Sequence, residues 1–411
     1  MLKKVAKNGI WLISSQALSR LIGLLYYVLV ARVLSLENFG IYTFTLAFVY
    51  NFYSVADFGI ERLVLKDVSR NIDKTGEYFN KLFPLRLFLS VAAIILFTIL
   101  GVILGQRPSQ LLYFVIFGLA LVPYNLTYLI VSLENAKEKM HFMALANVSS
   151  ILISVSVGAF FLYLNFPLWC ILSAFFWGNS IVFLIFFFNL HKLGLQLKIN
   201  IDIVFWKKAI KESWVFALLT IIATFYLRTS VISLNLIKGS VETGLYGSIF
   251  KFVEGIILVP QSVAIALFPL SSRLFISDKE QLRNVYLKGL FVLLLCSLPF
   301  LFVFACFSKT LINFSFGAKF LPAVSVFPIL GLAVVLFFLN SLAGNIIQNS
   351  PKVKHFLPFL FVNLILEIVL CLILIPKYSI MGAAWAVVGG EIFGLFINNL
   401  FVWKILKGKN D

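Results

Sequence analysis

The sequence predicts an all-α polytopic membrane protein of about twelve transmembrane helices, in two six-helix bundles around a central cavity. Three observations predict it. The 411 residues are 61% apolar and 12% charged, with a mean hydropathy of +1.01, whereas soluble domains carry roughly 45–50% apolar and about 25% charged residues. Apolar runs of spanning length, about 20 residues each, recur from one end of the chain to the other. Lys and Arg gather on alternate connections between those runs. Together these exclude a water-soluble enzyme, a disordered tail and a coiled coil. Twelve spans use roughly 240–260 residues and leave no connection long enough for a folded soluble domain.

The expected spans are residues 10–31, 39–60, 82–105, 110–133, 142–164, 167–190, 213–236, 245–270, 286–307, 322–348, 355–375 and 381–403. Segments 39–60 and 322–348 are the least regular, because polar residues and Pro328 interrupt them. The first span follows Lys3, Lys4 and Lys7 and contains Arg20, with no clean small-residue cleavage site beyond it. It reads as a retained helix and not a signal peptide.

With the N-terminus inside, 24 of the 34 Lys and Arg residues fall on inner segments, 6 on outer loops and 4 within spans. That bias follows the positive-inside rule. It predicts a multi-pass protein of the cytoplasmic membrane with both termini in the cytoplasm. The formal net charge of +17 is then a topology signal, and no nucleic-acid partner is expected. The 61–81 segment carries Arg62, Lys66, Arg70, Lys74 and Lys81. It reads either as an amphipathic helix on the inner leaflet or as a solvated loop. Cys170, Cys296, Cys306 and Cys371 all sit in apolar runs and are expected to be buried free thiols. The 45 Phe residues suit lipid-facing helix surfaces.

An internal duplication organises the chain. Ser35-Leu36-Glu37-Asn38-Phe39-Gly40-Ile41-Tyr42 follows the first span, and Ser240-Val241-Glu242-Thr243-Gly244-Leu245-Tyr246 follows the seventh, at an offset of 204–205 residues. Trp11 pairs with Trp214, and His141-Phe142 with His355-Phe356, at equivalent points of the two halves. Six helices separate the copies, so they run the same way through the membrane. Parallel repeats place the substrate path between the bundles. The expected domains are residues 1–200 and 201–411.

Charges inside the membrane are costly, by about 2.5–3.5 kcal/mol on insertion scales, and are functional candidates by default. Arg20 lies about ten residues, or roughly 15 Å, into the first span. Its guanidinium offers five donors and suits a pyrophosphate; the competing role is a structural pair with Asp57 or another acid. Arg228 and Lys251 reach a similar depth on neighbouring antiparallel spans, with Glu254 one turn from Lys251. They are expected to cluster, either as a structural network or as an anion-binding wall. Glu367 and Glu391 share a depth in the last two spans and, with Glu254, are candidate coupling-ion residues. Asp57 closes the second span and is a candidate cavity residue; the competing roles are to cap a break there, with Gly59 permitting the turn, or to pair with an Arg of the first bundle. Arg86 is expected to reach back to the inner surface.

No Walker A run, metal-ligand spacing or nucleophile–base arrangement is present in the sequence, and His141, His191 and His355 fall at helix ends. The longest outer loop, near 308–321, is shorter than membrane glycosyl transfer typically needs. No enzymatic activity, cofactor or metal is expected.

Ser19-Arg20-Leu21-Ile22-Gly23, Val30-Ala31-Arg32-Val33-Leu34, Phe39-Gly40-Ile41-Tyr42 and Asp57-Phe58-Gly59-Ile60 resemble the Wzx-type polysaccharide biosynthesis (O-antigen) flippases. These belong to the multidrug/oligosaccharidyl-lipid/polysaccharide exporter superfamily. The match is densest over the first 70 residues. The resemblance implies a V-shaped pair of six-helix bundles that flips an undecaprenyl-pyrophosphate-linked oligosaccharide from the inner to the outer leaflet by alternating access. The product would be a surface polysaccharide such as O-antigen (lipopolysaccharide biosynthesis), capsule or exopolysaccharide. It implies cationic cavity residues, with Arg20 in the matching stretch, and a polymerase and chain-length regulator as partners. The competing reading is a drug or organic-cation antiporter of the same superfamily, whose site would want an acidic, aromatic-lined first bundle.

Overall fold

The computed structural model describes residues 2–349 and 355–407. The expected inner connection at 350–354 and the tail at 408–411 lie outside the described residues. Those described form fifteen α-helices and three short 3-10 turns, with no strand among them. The helices are α1 (Leu2–Val33), α2 (Leu36–Asp57), α3 (Ile60–Val68), α4 (Thr75–Ile103), α5 (Pro108–Gly118), α6 (Leu121–Ala136), α7 (His141–Tyr163), α8 (Leu168–Phe188), α9 (Ile203–Lys238), α10 (Ser240–Ile256), α11 (Leu258–Ser277), α12 (Lys279–Cys306), α13 (Ser308–Ser315), α14 (Phe327–Asn349) and α15 (Leu357–Lys407).

Ten stretches of the described residues are long and apolar enough to cross a membrane. One of them, Leu357–Leu406, counts twice. Ser379 leaves helical geometry at φ 49°, and a Cβ on Gly382 would sit 2.3 Å from the Leu374 carbonyl oxygen. Eight residues along a straight helix span about 12 Å, so the chain reverses there. With the 22-residue α2, twelve spans result. The chain is an all-α polytopic membrane protein.

Proline placement explains where observed elements differ from the expected spans. The fourth span is two helices, α5 and α6, parted at residues 119–120 just ahead of Pro123. The eighth is likewise divided at Ile257, ahead of Pro260. Each proline lacks the N–H that a continuous helix needs and crowds the preceding turn. Pro328 interrupts nothing: it is the second residue of α14, where its missing donor costs nothing.

The chain divides into two compact units. Unit 1 is Met1–Val33 with Thr45–Thr224, and unit 2 is Leu34–Phe44 with Phe225–Asp411. The sequence boundary at 200/201 falls just ahead of α9, whose first 22 residues pack with unit 1. In unit 1, α7 packs on α1 and α8, and α6 packs on α3, α4 and α8. Short α3 is amphipathic, but its apolar face is not turned to lipid. Ile60, Leu63, Val64 and Val68 are buried against Phe79, Leu82, Leu129 and Leu133, while Arg62 and Lys66 stay exposed. The connection before α9 is strapped to the start of α4. Asn80 accepts from Lys198 N at 2.6 Å and Asn200 N at 3.3 Å, Lys81 pairs with Asp202 at 3.0 Å, and Trp206 donates to the Lys81 carbonyl at 2.8 Å.

In unit 2, α14 packs on α11, α12 and α15. The first turns of α2 meet the first turns of α10 through two glycines that the duplication makes equivalent. A Cβ on Gly40 would lie 1.7 Å from the Ser240 carbonyl oxygen, and one on Gly244 would lie 2.8 Å from that of Leu36. Only glycine permits this approach. Phe39 fills the space beside it, edge-on to Phe320 at 5.3 Å.

Outward faces are apolar. Phe88, Phe160, Phe291, Phe302 and Phe396 are exposed, but many other phenylalanines, including Phe52, Phe79, Phe97, Phe114 and Phe117, are fully buried. The equivalent Trp11 and Trp214 are both exposed. Among the cysteines, Cys170 and Cys371 are buried, whereas Cys296 and Cys306 are exposed. The expectation of four buried thiols fails for the last two, because an apolar run in a membrane helix includes the face turned to lipid.

Candidate functional site

Unit 1 encloses a cavity of about 560 Å³ lined by residues of α1, α2, α3, α6, α7 and α8, within the roughly 300–1,000 Å³ of ligand pockets. Arg20 of α1 lines it and is an exposed residue. Gln16, one turn earlier, and Ser19 join it. Helices α2 and α6 supply the opposite chemistry. Tyr50 and Tyr53 are three apart on α2, and Tyr124 and Tyr128 are four apart on α6, so each pair shares a helix face. The four rings form a continuous wall. Tyr50 lies 5.3 Å from Tyr53, Tyr53 lies 4.8 Å from Tyr124, and Tyr124 stacks on Tyr128 at 4.2 Å.

Amides and hydroxyls finish the lining. The Tyr128 hydroxyl donates to Asn147 Oδ1. Asn179 Oδ1 accepts from Ser150 Oγ at 2.8 Å while its Nδ2 is held by the Phe175 carbonyl at 2.7 Å. Glu61, in the first turn of α3, also lines the cavity. It makes no ion pair among the described residues.

The position of Glu61 is set by the turn before it. Phe58 and Gly59 both adopt positive φ, 47° and 72°. Asp57 holds the turn, accepting from Gly59 N at 3.0 Å and from Glu61 N at 3.3 Å. Asp57 also pairs with Arg86. Thus Asp57 does not partner Arg20, and it is not among the residues lining the cavity. Arg86 does not reach the surface, as the sequence suggested it would. It is 1% exposed and donates to the Asn125 carbonyl at 3.1 Å as well as to Asp57. The reason is helix length: α4 starts at Thr75, which places Arg86 about three turns inside it.

Unit 2 holds the other candidates. Lys251 and Glu254 pair at 2.7 Å, and Arg228 approaches Glu254 at 3.6 Å, so the three form the cluster that their depths predicted. The two remaining carboxylates lie close enough to interact electrostatically, being 12 residues either side of the Ser379 turn. Glu391 accepts from the Tyr226 hydroxyl at 2.7 Å and from Asn340 Nδ2 at 2.7 Å, and Asn398 orients Asn340 at 2.9 Å. Glu367 is 1% exposed, and its Oε2 has no hydrogen-bond partner. Neither acid makes an ion pair among the described residues.

Arg20, the Arg228 cluster and the carboxylate pair stand out in the sequence as charges in apolar runs. The tyrosine wall, Glu61, Asn147 and Asn179 join the cavity lining only in the structure. Their signal was available as paired aromatics at helical spacing in two spans, and as Asn147 and Asn179 inside apolar runs.

Other proteins share this architecture. Residues 5–275 match the family described as polysaccharide biosynthesis protein. A putative O-antigen transporter of Shigella flexneri is 22% identical over 409 residues, covering 93% of this chain and 94% of its own. An uncharacterized membrane protein of Methanocaldococcus jannaschii is 28% identical over 148 residues, or 36% of this chain and 28% of that protein. An inward-facing multidrug resistance MATE family transporter of the MOP superfamily superposes with a TM-score of 0.76 at 13% identity, covering 95% and 96% of the two chains. The lipid II flippase MurJ, in an inward closed conformation, superposes at 0.75 and 15% identity, covering 95% and 87%. These structural likenesses establish the fold. With the family match spanning well over half its length, the chain belongs to the polysaccharide biosynthesis protein family.

Proposed function

We propose that this protein is a flippase that moves an undecaprenyl-pyrophosphate-linked oligosaccharide from the inner to the outer leaflet of the cytoplasmic membrane by alternating access. The observation that carries the reading is Arg20 lining a polar cavity. A lipid-linked sugar cannot take its pyrophosphate and hydroxyls through about 30 Å of hydrocarbon unaided. A permanently charged guanidinium offers the pyrophosphate a bidentate partner, while the prenyl chain stays in lipid. Arg228 and Lys251 offer further positive charge, and Asp57 contributes by fixing the turn that presents Glu61. Glu367 and Glu391, with Glu254 beside Lys251, are proposed to take the proton or cation that drives the cycle, since two nearby carboxylates readily share one positive charge. On this reading both termini are cytoplasmic, the chain does no covalent chemistry, and a polymerase and chain-length regulator act on its product.

Lipid analysis of a strain lacking the gene tests it. The expected result is accumulated prenyl-pyrophosphate-linked repeat with lost surface polysaccharide. Arg20→Lys should restore the polymer partly and Arg20→Ala should not. Normal polymer with unchanged lipid intermediates, in a strain with no second flippase, would refute the reading.

One observation favours the alternative of an organic-cation antiporter: Glu61 and the tyrosine wall are an acidic, aromatic lining, and MATE transporters share the fold. Arg20 in the same lining opposes it. If the alternative holds, Arg20→Ala leaves drug export intact and deletion of the gene sensitises cells to lipophilic cations.

A further inference from the structure

Twelve of the fifteen residues lining the unit 1 cavity carry a polar side-chain atom; Met143, Ile151 and Phe175 are the exceptions. This is unusual inside a membrane unit, where polar side chains are costly unless they serve a ligand or one another. A prenyl chain gains nothing from such a lining. Apart from Arg20, its chemistry is that of a receptor for a hydroxyl-rich ring. Tyrosine rings present flat apolar faces with a polar tip. A pyranose presents a C–H face ringed by hydroxyls. A carboxylate can accept from two vicinal hydroxyls at once, since it has two oxygens and about four acceptor positions. Asn147 adds the complementary donor: its Oδ1 is taken by Tyr128, which turns its Nδ2 to other partners.

We propose that Tyr50, Tyr53, Tyr124 and Tyr128, with Glu61 and Asn147, form a sugar-reading subsite contiguous with Arg20. In it the first sugars of the repeat stack on the tyrosine wall while the pyrophosphate is held at Arg20. The inference rests on the flippase reading and adds to it the part of the molecule that selects which glycan is carried. The connected tyrosines offer a run of stacking faces, from Tyr50 to Tyr128, and not one isolated platform. Glu61 sits at the end of the Phe58–Gly59 turn, whose geometry Asp57 fixes, so its backbone is held in place before a ligand arrives and that part of the ordering cost is already met.

The test is binding by the full-length protein in lipid nanodiscs. Two probes are compared: undecaprenyl pyrophosphate, and the lipid-linked repeat extracted from cells lacking the gene. The glycosylated lipid is expected to bind about tenfold or more tightly than the bare one. Tyr124→Leu and Glu61→Gln should each erase most of that increment, read as the ratio of the two affinities within each variant, and measurable binding of bare undecaprenyl pyrophosphate shows that the variants fold. Tyr124→Phe should keep the stacking part of it. Arg20→Ala should weaken both probes alike. Equal affinity of wild-type protein for the two probes overturns the subsite and leaves the flippase reading standing. Failure to bind either probe overturns the flippase reading itself. Binding of tetraphenylphosphonium that depends on Glu61 and Tyr124, without a sugar increment, overturns the subsite in favour of a cation site.

Discussion

Replacing Gly40 with Ala tests the tightest helix contact in unit 2. A methyl group at Gly40 would sit 1.7 Å from the Ser240 carbonyl oxygen and 2.4 Å from the Ser240 carbonyl carbon. Both atoms are main chain, held in the first turn of α10, so no rotamer change relieves the overlap. The helix starts must part by roughly 1.5 Å to restore ordinary contact, and overpacking of this kind costs about 1–3 kcal/mol. Against that stands the gain of about 0.5–1 kcal/mol that alanine brings to a helix interior relative to glycine. Gly255 isolates that gain, because it lies in α10 with nothing within 4 Å of its Cβ position. Gly244→Ala is intermediate, its nearest neighbour being at 2.8 Å. Thermal unfolding in nanodiscs should therefore rank Gly255→Ala at or above wild type, then Gly244→Ala, then Gly40→Ala. If Gly40→Ala matches Gly255→Ala, the two helix starts do not meet and the reasoning is wrong.

Three further outcomes are expected. Asp57→Ala strands the buried Arg86 and should cost about 3–5 kcal/mol, and combining it with Arg86→Met should recover a large part, as a double-mutant cycle on denaturation would show. Asp202 is held below the usual carboxylate range, chiefly by the Phe205 backbone N–H and then by Lys81. Its contribution is therefore complete above the unfolded value of about 3.9 and is lost as pH falls through the lower folded value. Proteolytic cutting of the 194–202 strap should rise only under strong acid, and Asp202→Asn should loosen it at neutral pH. Glu391→Gln and Glu367→Gln should abolish gradient-driven transport while retaining binding of undecaprenyl pyrophosphate; full gradient-driven turnover in both would exclude the pair from coupling.

The spans were legible because a membrane imposes one length and one polarity on every helix that crosses it. The Arg228–Lys251–Glu254 cluster was legible for a related reason: depth along antiparallel neighbours is a one-dimensional quantity that sequence counts directly. The same arithmetic aligned Glu367 with Glu391. It failed for Arg86, since it needs the helix start, and α4 begins at Thr75 in a segment whose Lys, Asp and Glu residues read as loop. Asp57 caps a break and pairs with an Arg of the first bundle, as the sequence suggests, but depth alone does not single out Arg86 as that partner, because which helices are neighbours is not a matter of depth. The tyrosine wall was hidden differently. Tyrosine in an apolar run is compositionally unremarkable, and only the meeting of α2 with α6 turns two ordinary pairs into one surface.

The two exposed cysteines give the protein a built-in depth gauge. Cys296 and Cys306 lie on the same helix ten residues apart, about 15 Å along its axis, while Cys170 and Cys371 are buried away from reagents. A thiol held in hydrocarbon does not ionise, so a fluorescent maleimide would mark whichever of the two lies near the head groups, without changing a residue. Quenchers fixed at graded depths along lipid chains would then read which end of α12 lies near the head groups.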